Sequence, residues 1–361
     1  MRTERDTALD GLRGWAAIAV CLYHFIWELF GARFPEFRNL GTAIFCNGRL
    51  AVSIFFVLTG YVLTIGSWGA DKAGVRRQLV KRYFRLTIPI VFAVGVTMIA
   101  VELGLNDQML AAGAAINRPD WLGNFLHFEP TWAGASEFAV ALAYWPVPVE
   151  LSYNAFLWTM PYELLGSYLV LFVCLAERVV RAPLALLGIM SGAMLAGGDF
   201  WALGAPFALG GCLAIMRQQG LLAPSHGWLP VAFSAIAILA GAAVQWLALP
   251  VWMMVLPATA VVAGVISSER ISAWLSTPAS RSVGRLSYPI YLMQFPVLIT
   301  LSSTLIVGAE SGGFLNQITA VAISIASVAA VVVLALPFVW VERLTAVVGK
   351  GLDRAMSPRV A

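Results

Sequence analysis

Ten apolar runs, allowing for short and polar-interrupted ones, are long enough to cross a bilayer. They fall near residues 12–30, 50–66, 86–105, 155–177 and 183–198, and then near 200–216, 228–246, 250–267, 287–308 and 317–341. In hydrocarbon a single segment satisfies its own backbone hydrogen bonds only as a helix. The expected fold class is therefore an all-α polytopic membrane protein with about ten transmembrane helices. The 60% hydrophobic and 12% charged residues agree, being far from the balance of a soluble domain. Arg2 and Arg5 precede the first run and no small-residue cleavage site ends it, so that run reads as an uncleaved first helix. Residues 1–345 are expected to form one membrane domain and residues 346–361 a short cytoplasmic tail.

The net charge of +4 belongs to topology, because an excess of Lys and Arg in a membrane chain marks its cytoplasmic side. With the N-terminus inside, ten crossings place the connections 67–85, 178–182, 217–227 and 268–286 and the C-terminus inside as well. Of the 23 Lys and Arg, only Arg33, Arg38, Arg49 and Arg118 then lie outside. Both termini are expected in the cytoplasm, with membrane lipids rather than nucleic acid as partners. Cys21, Cys46, Cys174 and Cys212 have no paired short spacing, which supports neither a disulfide framework nor a cysteine metal site; no metal is expected. The chain has no phosphate-binding Gly-rich loop with its Lys, no dinucleotide fingerprint, no H-E-x-x-H and no G-x-S-x-G. These absences argue against a nucleotide hydrolase or a zinc protease.

Ionisable groups inside spans cost roughly 2.5–3.5 kcal/mol each on insertion scales, which makes function the default reading for them. Arg13 and His24 are eleven steps apart, nearly on one helix face and about 16 Å apart along the axis. His24 suits proton movement at neutral pH, and Glu28 at i+4 is placed to orient its imidazole; a packed histidine bonded to a neighbouring helix is the alternative. Asp10 either anchors Arg13 or caps the first helix. In the fourth span Pro161 lies beside Glu163. This reads as a broken, cavity-lining helix carrying a carboxylate, or as a kink whose Glu163 pairs with an arginine. Before the third span, Lys72, Arg76, Arg77, Lys81, Arg82 and Arg85 alternate with apolar residues at helical spacing. They either grip anionic lipid or form an anion site in which Arg82 and Arg85 clamp phosphate. The long outer stretch 106–154 is rich in Trp, Tyr and Pro and reads as an acceptor site or an interfacial aromatic belt.

The segment "LDGLRGWAAIAVCLYHF", residues 9–25, resembles the opening signature of the acyltransferase 3 family, membrane enzymes that O-acylate sugars and other hydroxyl-bearing acceptors. The match is an Arg and a His separated by ten residues, here Arg13 and His24. "SIFFVLTGYVL" at 53–63 is similar to the family's second-span element, with Thr59 in place of Ser. "RYFRL" at 82–86 resembles its Arg-x-x-Arg motif, "NAFLWTMPYE" at 154–163 its Trp-to-Glu stretch, and "GRLSYPIYLMQFPV" at 284–297 its late Ser-Tyr-x-x-Tyr element. One position departs: the late element often carries a His where this chain has Gln294, which cannot carry a proton.

The resemblance implies a bacterial cytoplasmic (inner) membrane enzyme. It would take an acyl group, acetyl first, from cytoplasmic acetyl-CoA or another acyl-CoA and pass it to a hydroxyl of a saccharide or glycolipid acceptor. It implies His24 as general base or acyl carrier, with Glu163 and Arg13 as catalytic companions. Arg82, Arg85 and Arg77 would hold the donor; Asp10, Asn154, Trp158, Tyr288 and Tyr291 would line the substrate site. No second extracytoplasmic hydrolase-like domain is expected, and the resemblance carries no oligomeric state. The rival class is a transporter or flippase of saccharide-linked lipid, suited by ten spans and by Pro161, Pro289 and Pro296. Against it, the ionisable residues crowd into the first span and the adjacent basic stretch instead of recurring in two halves.

Overall fold

The first helix starts ahead of its apolar run: α1 spans Thr7–Leu22 and then widens into a π turn, Tyr23–Glu28. This computed structural model describes residues 7–177 and 179–356, so Arg2, Arg5 and residues 357–361 of the expected tail lie outside the described residues. Two asparagine caps organise the next turn of chain. Asn39 caps α2 (Leu40–Phe45) and Asn47 caps α3 (Gly48–Ser67), each accepting a backbone N–H three residues on at 2.9 Å. Asp71 caps α4 (Lys72–Glu102) in the same way. Here the structure corrects the expected third boundary. The basic stretch and the apolar run are one continuous 31-residue helix, because nothing between Lys72 and Thr87 breaks the helical period. Only residues 68–71 connect it to α3.

The 106–154 stretch is built rather than loose, carrying α5 (Met109–Ala115), α6 (Trp132–Val140) and several single 3₁₀ turns. A 3₁₀ turn, Ala155–Thr159, leads into α7 (Met160–Leu175). Pro161 therefore stands in the first turn of α7, where its missing N–H has no partner to lose, and the expected mid-helix break is a 3₁₀-to-α junction. The chain continues through α8 (Pro183–Ala196), α9 (Asp199–Ala202), α10 (Ala205–Gln218), α11 (Leu229–Trp246) and α12 (Val255–Ser267). Two short helices, α13 (Glu269–Leu275) and α14 (Pro278–Arg285), precede α15 (Ser287–Val297), a π turn at Leu298–Ser302 and α16 (Ser303–Ser311). The last two helices are α17 (Gln317–Ala335) and α18 (Phe338–Met356). Among the described residues there is no strand, only an isolated bridge between Ser225 and Ser268.

Helices occupy all ten expected positions, but among the described residues seven are long and apolar enough to cross a membrane: Leu40–Ser67, Lys72–Glu102, Ala155–Leu175, Asp199–Gln218, Leu229–Trp246, Ser287–Ser311 and Gln317–Met356. Pro183–Ala196 and Val251–Ser267 are apolar but shorter. The first helix is not among the seven and carries Asp10, Arg13 and Glu28.

Two helices form the centre. α3 packs against α1, α7, α10 and α12, and its meeting with α10 is backbone on backbone: Gly60 lies against the Phe207 carbonyl, and a Cβ on Gly210 would sit 2.8 Å from the Tyr61 nitrogen. Small residues at such crossings let helices approach closely where lipid gives no hydrophobic drive. In α15 every side chain except Tyr288 is buried, and α15 lies against α1, α4 and α17. The periphery is apolar and exposed, with Phe233, Ile236 and Leu239 on α11 and Ile318, Ile325 and Val333 on α17 facing outward. A surface of that kind suits acyl chains.

Candidate active site

His24 lies on the π turn, not on regular α helix. A π turn puts more than four residues into one winding, which brings residues five apart, here Tyr23 and Glu28, over one another. Glu28 is bonded by Tyr23 and Arg118, so the residue expected to orient His24 acts on it only through its charge, and the hydrogen bond to the imidazole comes from another helix. His24 is buried and its Nδ1 lies 2.7 Å from Gln294 Oε1 on α15. Its ring stacks flat on Phe156, with centroids 3.8 Å apart and planes 7° apart, and Trp121 adds a second, more distant face. With the Gln294 carbonyl oxygen facing Nδ1, that nitrogen donates and Nε2 carries the lone pair. Gln294 Nε2 is buried without a hydrogen-bond partner among the described residues. The residue read as a departure is thus the histidine's direct neighbour.

The surroundings of Phe156 are fixed by two of the expected substrate residues. Asn154 is fully buried; its Oδ1 accepts from Phe156 N at 3.2 Å and its Nδ2 donates to Leu292 O at 3.2 Å, tying the 3₁₀ turn to α15. The Tyr291 hydroxyl bonds the Phe156 carbonyl and lies 2.7 Å from Thr159 Oγ1. Tyr288 donates to Leu86 O at 3.1 Å, reaching α4. Trp158 stands apart, half exposed and edge-on to Tyr162.

Glu163 does not reach His24. It forms an ion pair with Arg82, and Thr59 Oγ1 donates to the same carboxylate at 2.7 Å. Arg82 Nε also donates to Ser167 Oγ at 2.8 Å, and both charged side chains are largely buried. A buried pair of this kind is held together by the cost of leaving either charge alone. Arg82 is consequently turned into the bundle, away from the i, i+3 clamp expected with Arg85, which is exposed on α4; Arg77 is half-buried one turn and a half earlier. Arg13 pairs with Asp10 at 3.8 Å near the start of α1.

At the other end of α1, Glu28 is the hub of a second polar cluster. Tyr23 donates to it at 2.6 Å, Arg118 at 2.6 Å, and Arg38 lies 3.8 Å away. Burial alone would lower the Arg118 guanidinium pKa, but the Glu28 carboxylate outweighs that and holds it above its ordinary value. Arg118 also covers the face of Trp121 at 5.1 Å, so this cluster connects through Trp121 to the histidine. Beside it opens a cavity of about 420 Å³, within the usual size of a small-molecule site. Sequence reasoning had Arg118, Arg38 and Arg49 only as outer cations; their grouping across residues 28–49 and 118 depends on the fold. Among the described residues no three His, Cys, Asp or Glu side chains are grouped as metal ligands.

A family model described as "Acyltransferase domain" matches residues 6–340. Over 160 residues, 40% of this chain, the sequence is 31% identical to acyltransferase MdmB of Streptomyces mycarofaciens, covering 39% of that protein. Over 130 residues, 35% of this chain, it is 28% identical to peptidoglycan O-acetyltransferase OatA of Listeria monocytogenes serovar 1/2a, covering 18% of it. The matched segments thus span less than half the length of either relative. No solved structure matches the chain.

Proposed function

As the chain belongs to the acyltransferase 3 family, we propose that it is a membrane O-acyltransferase moving an acetyl group from cytoplasmic acetyl-CoA to a hydroxyl of a saccharide acceptor. In this reading it crosses a bacterial cytoplasmic membrane ten times, with both termini inside. The name of the OatA relative supports a cell-surface saccharide acceptor. The observation that carries the proposal is His24: a buried imidazole with Nδ1 engaged by Gln294 and one ring face covered by Phe156.

In that setting Nε2 takes the proton of the acceptor hydroxyl as its oxygen attacks the thioester carbonyl. The new oxygen–carbon bond forms, the carbon–sulfur bond breaks, and the imidazolium returns its proton to the departing thiolate. The Phe156 face stabilises the transient imidazolium. Arg13, at the opposite end of α1, supplies an anionic contact on the donor side, and Arg77 and Arg85 present cations to donor phosphates. Arg82 serves by holding α4 to α7 through Glu163 rather than by meeting the donor.

His24→Ala is expected to insert at the parental level and to lower transfer of radiolabelled acetyl groups from acetyl-CoA to cell-envelope saccharide by at least about 100-fold. Transfer at the parental rate in that variant overturns the proposal.

A further inference from the structure

We propose that the cavity beside Glu28 binds an anionic substituent of the acceptor, so that the preferred acceptors are saccharides bearing a carboxylate or a phosphate. This rests on the O-acyltransferase reading only in naming the ligand an acceptor. Its support is the charge arrangement of the cavity, which is lined by three guanidiniums, those of Arg38, Arg49 and Arg118, and two carboxylates, those of Glu28 and Asp120. Both carboxylates are already engaged: Glu28 by Arg118 and Arg38, and Asp120 by Arg118 at 3.3 Å. Arg49 forms no ion pair among the described residues; its Nη1 donates to Leu249 O at 3.3 Å. Arg49 also lies against the Tyr23 hydroxyl, so it is held by uncharged groups alone and its charge is the one of the three not matched by a carboxylate. A guanidinium fork matches a carboxylate or a phosphate in two parallel hydrogen bonds.

A second observation points to a polyhydroxylated ligand rather than a bare anion. Gln245 lines the same cavity, donates its Nε2 to Cys46 O at 2.7 Å, and leaves Oε1 buried with no hydrogen-bond partner among the described residues. A carboxylate or a fully ionised phosphate group has nothing to donate to that oxygen, whereas a sugar hydroxyl does. Trp27 and Trp246 add aromatic wall to the cavity, on which the apolar face of a pyranose ring packs. The cavity also adjoins the chemistry, because Arg118 covers Trp121 and Trp121 faces the His24 ring.

The test titrates the full-length protein in lipid nanodiscs, with no acyl donor present, against glucuronic acid, glucose 6-phosphate, glucose and inorganic phosphate. At low salt one or both sugar anions are expected to bind at least about tenfold more tightly than glucose, a preference that shrinks as salt rises. The uronate and phosphate arms identify which anion is preferred. Arg49→Gln is expected to abolish the preference and Arg49→Lys to keep part of it; Arg38→Gln repeats the test at a second cation. Glucose binding as tightly as both sugar anions, or an undiminished preference in Arg49→Gln, overturns the proposal. Inorganic phosphate binding as tightly as glucose 6-phosphate overturns its saccharide part. Without a donor the titration is independent of acyl transfer. Anion preference in a protein that transfers nothing leaves the cavity standing and removes the catalytic reading, and transfer without preference does the reverse.

Discussion

At the scale of single residues, the proposed chemistry turns on the contact between His24 and Gln294. In that proposal Gln294 is a positioning residue: its carbonyl oxygen favours the tautomer with the proton on Nδ1. Gln294→Leu keeps the volume and removes the oxygen. It is expected to lower kcat by about 10- to 100-fold, the size seen when a group orienting a functional histidine is lost, while leaving the KM for acetyl-CoA unchanged. Gln294→Glu, which retains an acceptor oxygen, is expected to recover most of the rate; steady-state kinetics in nanodiscs reads both, and a full rate in Gln294→Leu rules the role out. His24 and Arg13 were legible in the sequence because an ionisable group in an apolar run is costly wherever it lies. The partners were not. Counting four residues from His24 to Glu28 leaves out Arg118 and Arg38, which reach Glu28 from distant segments. Glutamine carries no charge to attract notice, and Arg82 meets Glu163 only because α4 lies beside α7.

At the scale of elements, glycines decide how closely helices meet. On α1, a Cβ at Gly14 would lie 2.5 Å from Gly284 N and 2.7 Å from Val283 C, both backbone atoms of α14. Neither can swing aside as a side chain does. Gly14→Ala is therefore expected to lose about 1–3 kcal/mol of stability, whereas Gly192→Ala on α8, where nothing lies within 4 Å, should be neutral or slightly stabilising. Thermal unfolding of the two variants in one detergent compares them, and equal melting temperatures would contradict the packing argument. Sequence placed a helix at each of these positions from the length and polarity of the runs. It missed the continuity of α4 because the change from basic to apolar residues looked like a boundary, although the helical spacing runs through it unbroken. It misjudged Pro161 because the same proline that breaks a helix in mid-run also begins one.

For the molecule as a whole, α1 meets α13 and α14 near its start, at Gly11 and Gly14, and leads at its other end to His24 and the Glu28 cluster. The proposed orientation places Asp120 outside and Ser282 inside, and both side chains are exposed. A membrane-impermeant maleimide is expected to label Asp120→Cys in intact cells and Ser282→Cys only after permeabilisation; the opposite pattern would invert the topology. Cys21, Cys46 and Cys174 are buried and Cys212 is partly exposed, so both variants are made in a Cys212→Ser background. The proposed orientation rests on the distribution of Lys and Arg, since charge asymmetry is written in composition, whereas the 420 Å³ cavity assembles residues from distant segments and had no linear signature. The π turn at Tyr23–Glu28 divides the first helix into two phases. Aligned residue by residue with a relative whose helix winds uniformly as α, this one slips by one position beyond the turn. The counterpart of Glu28 in such a relative is then to be sought one place nearer the histidine, and a column-by-column comparison would score it as lost.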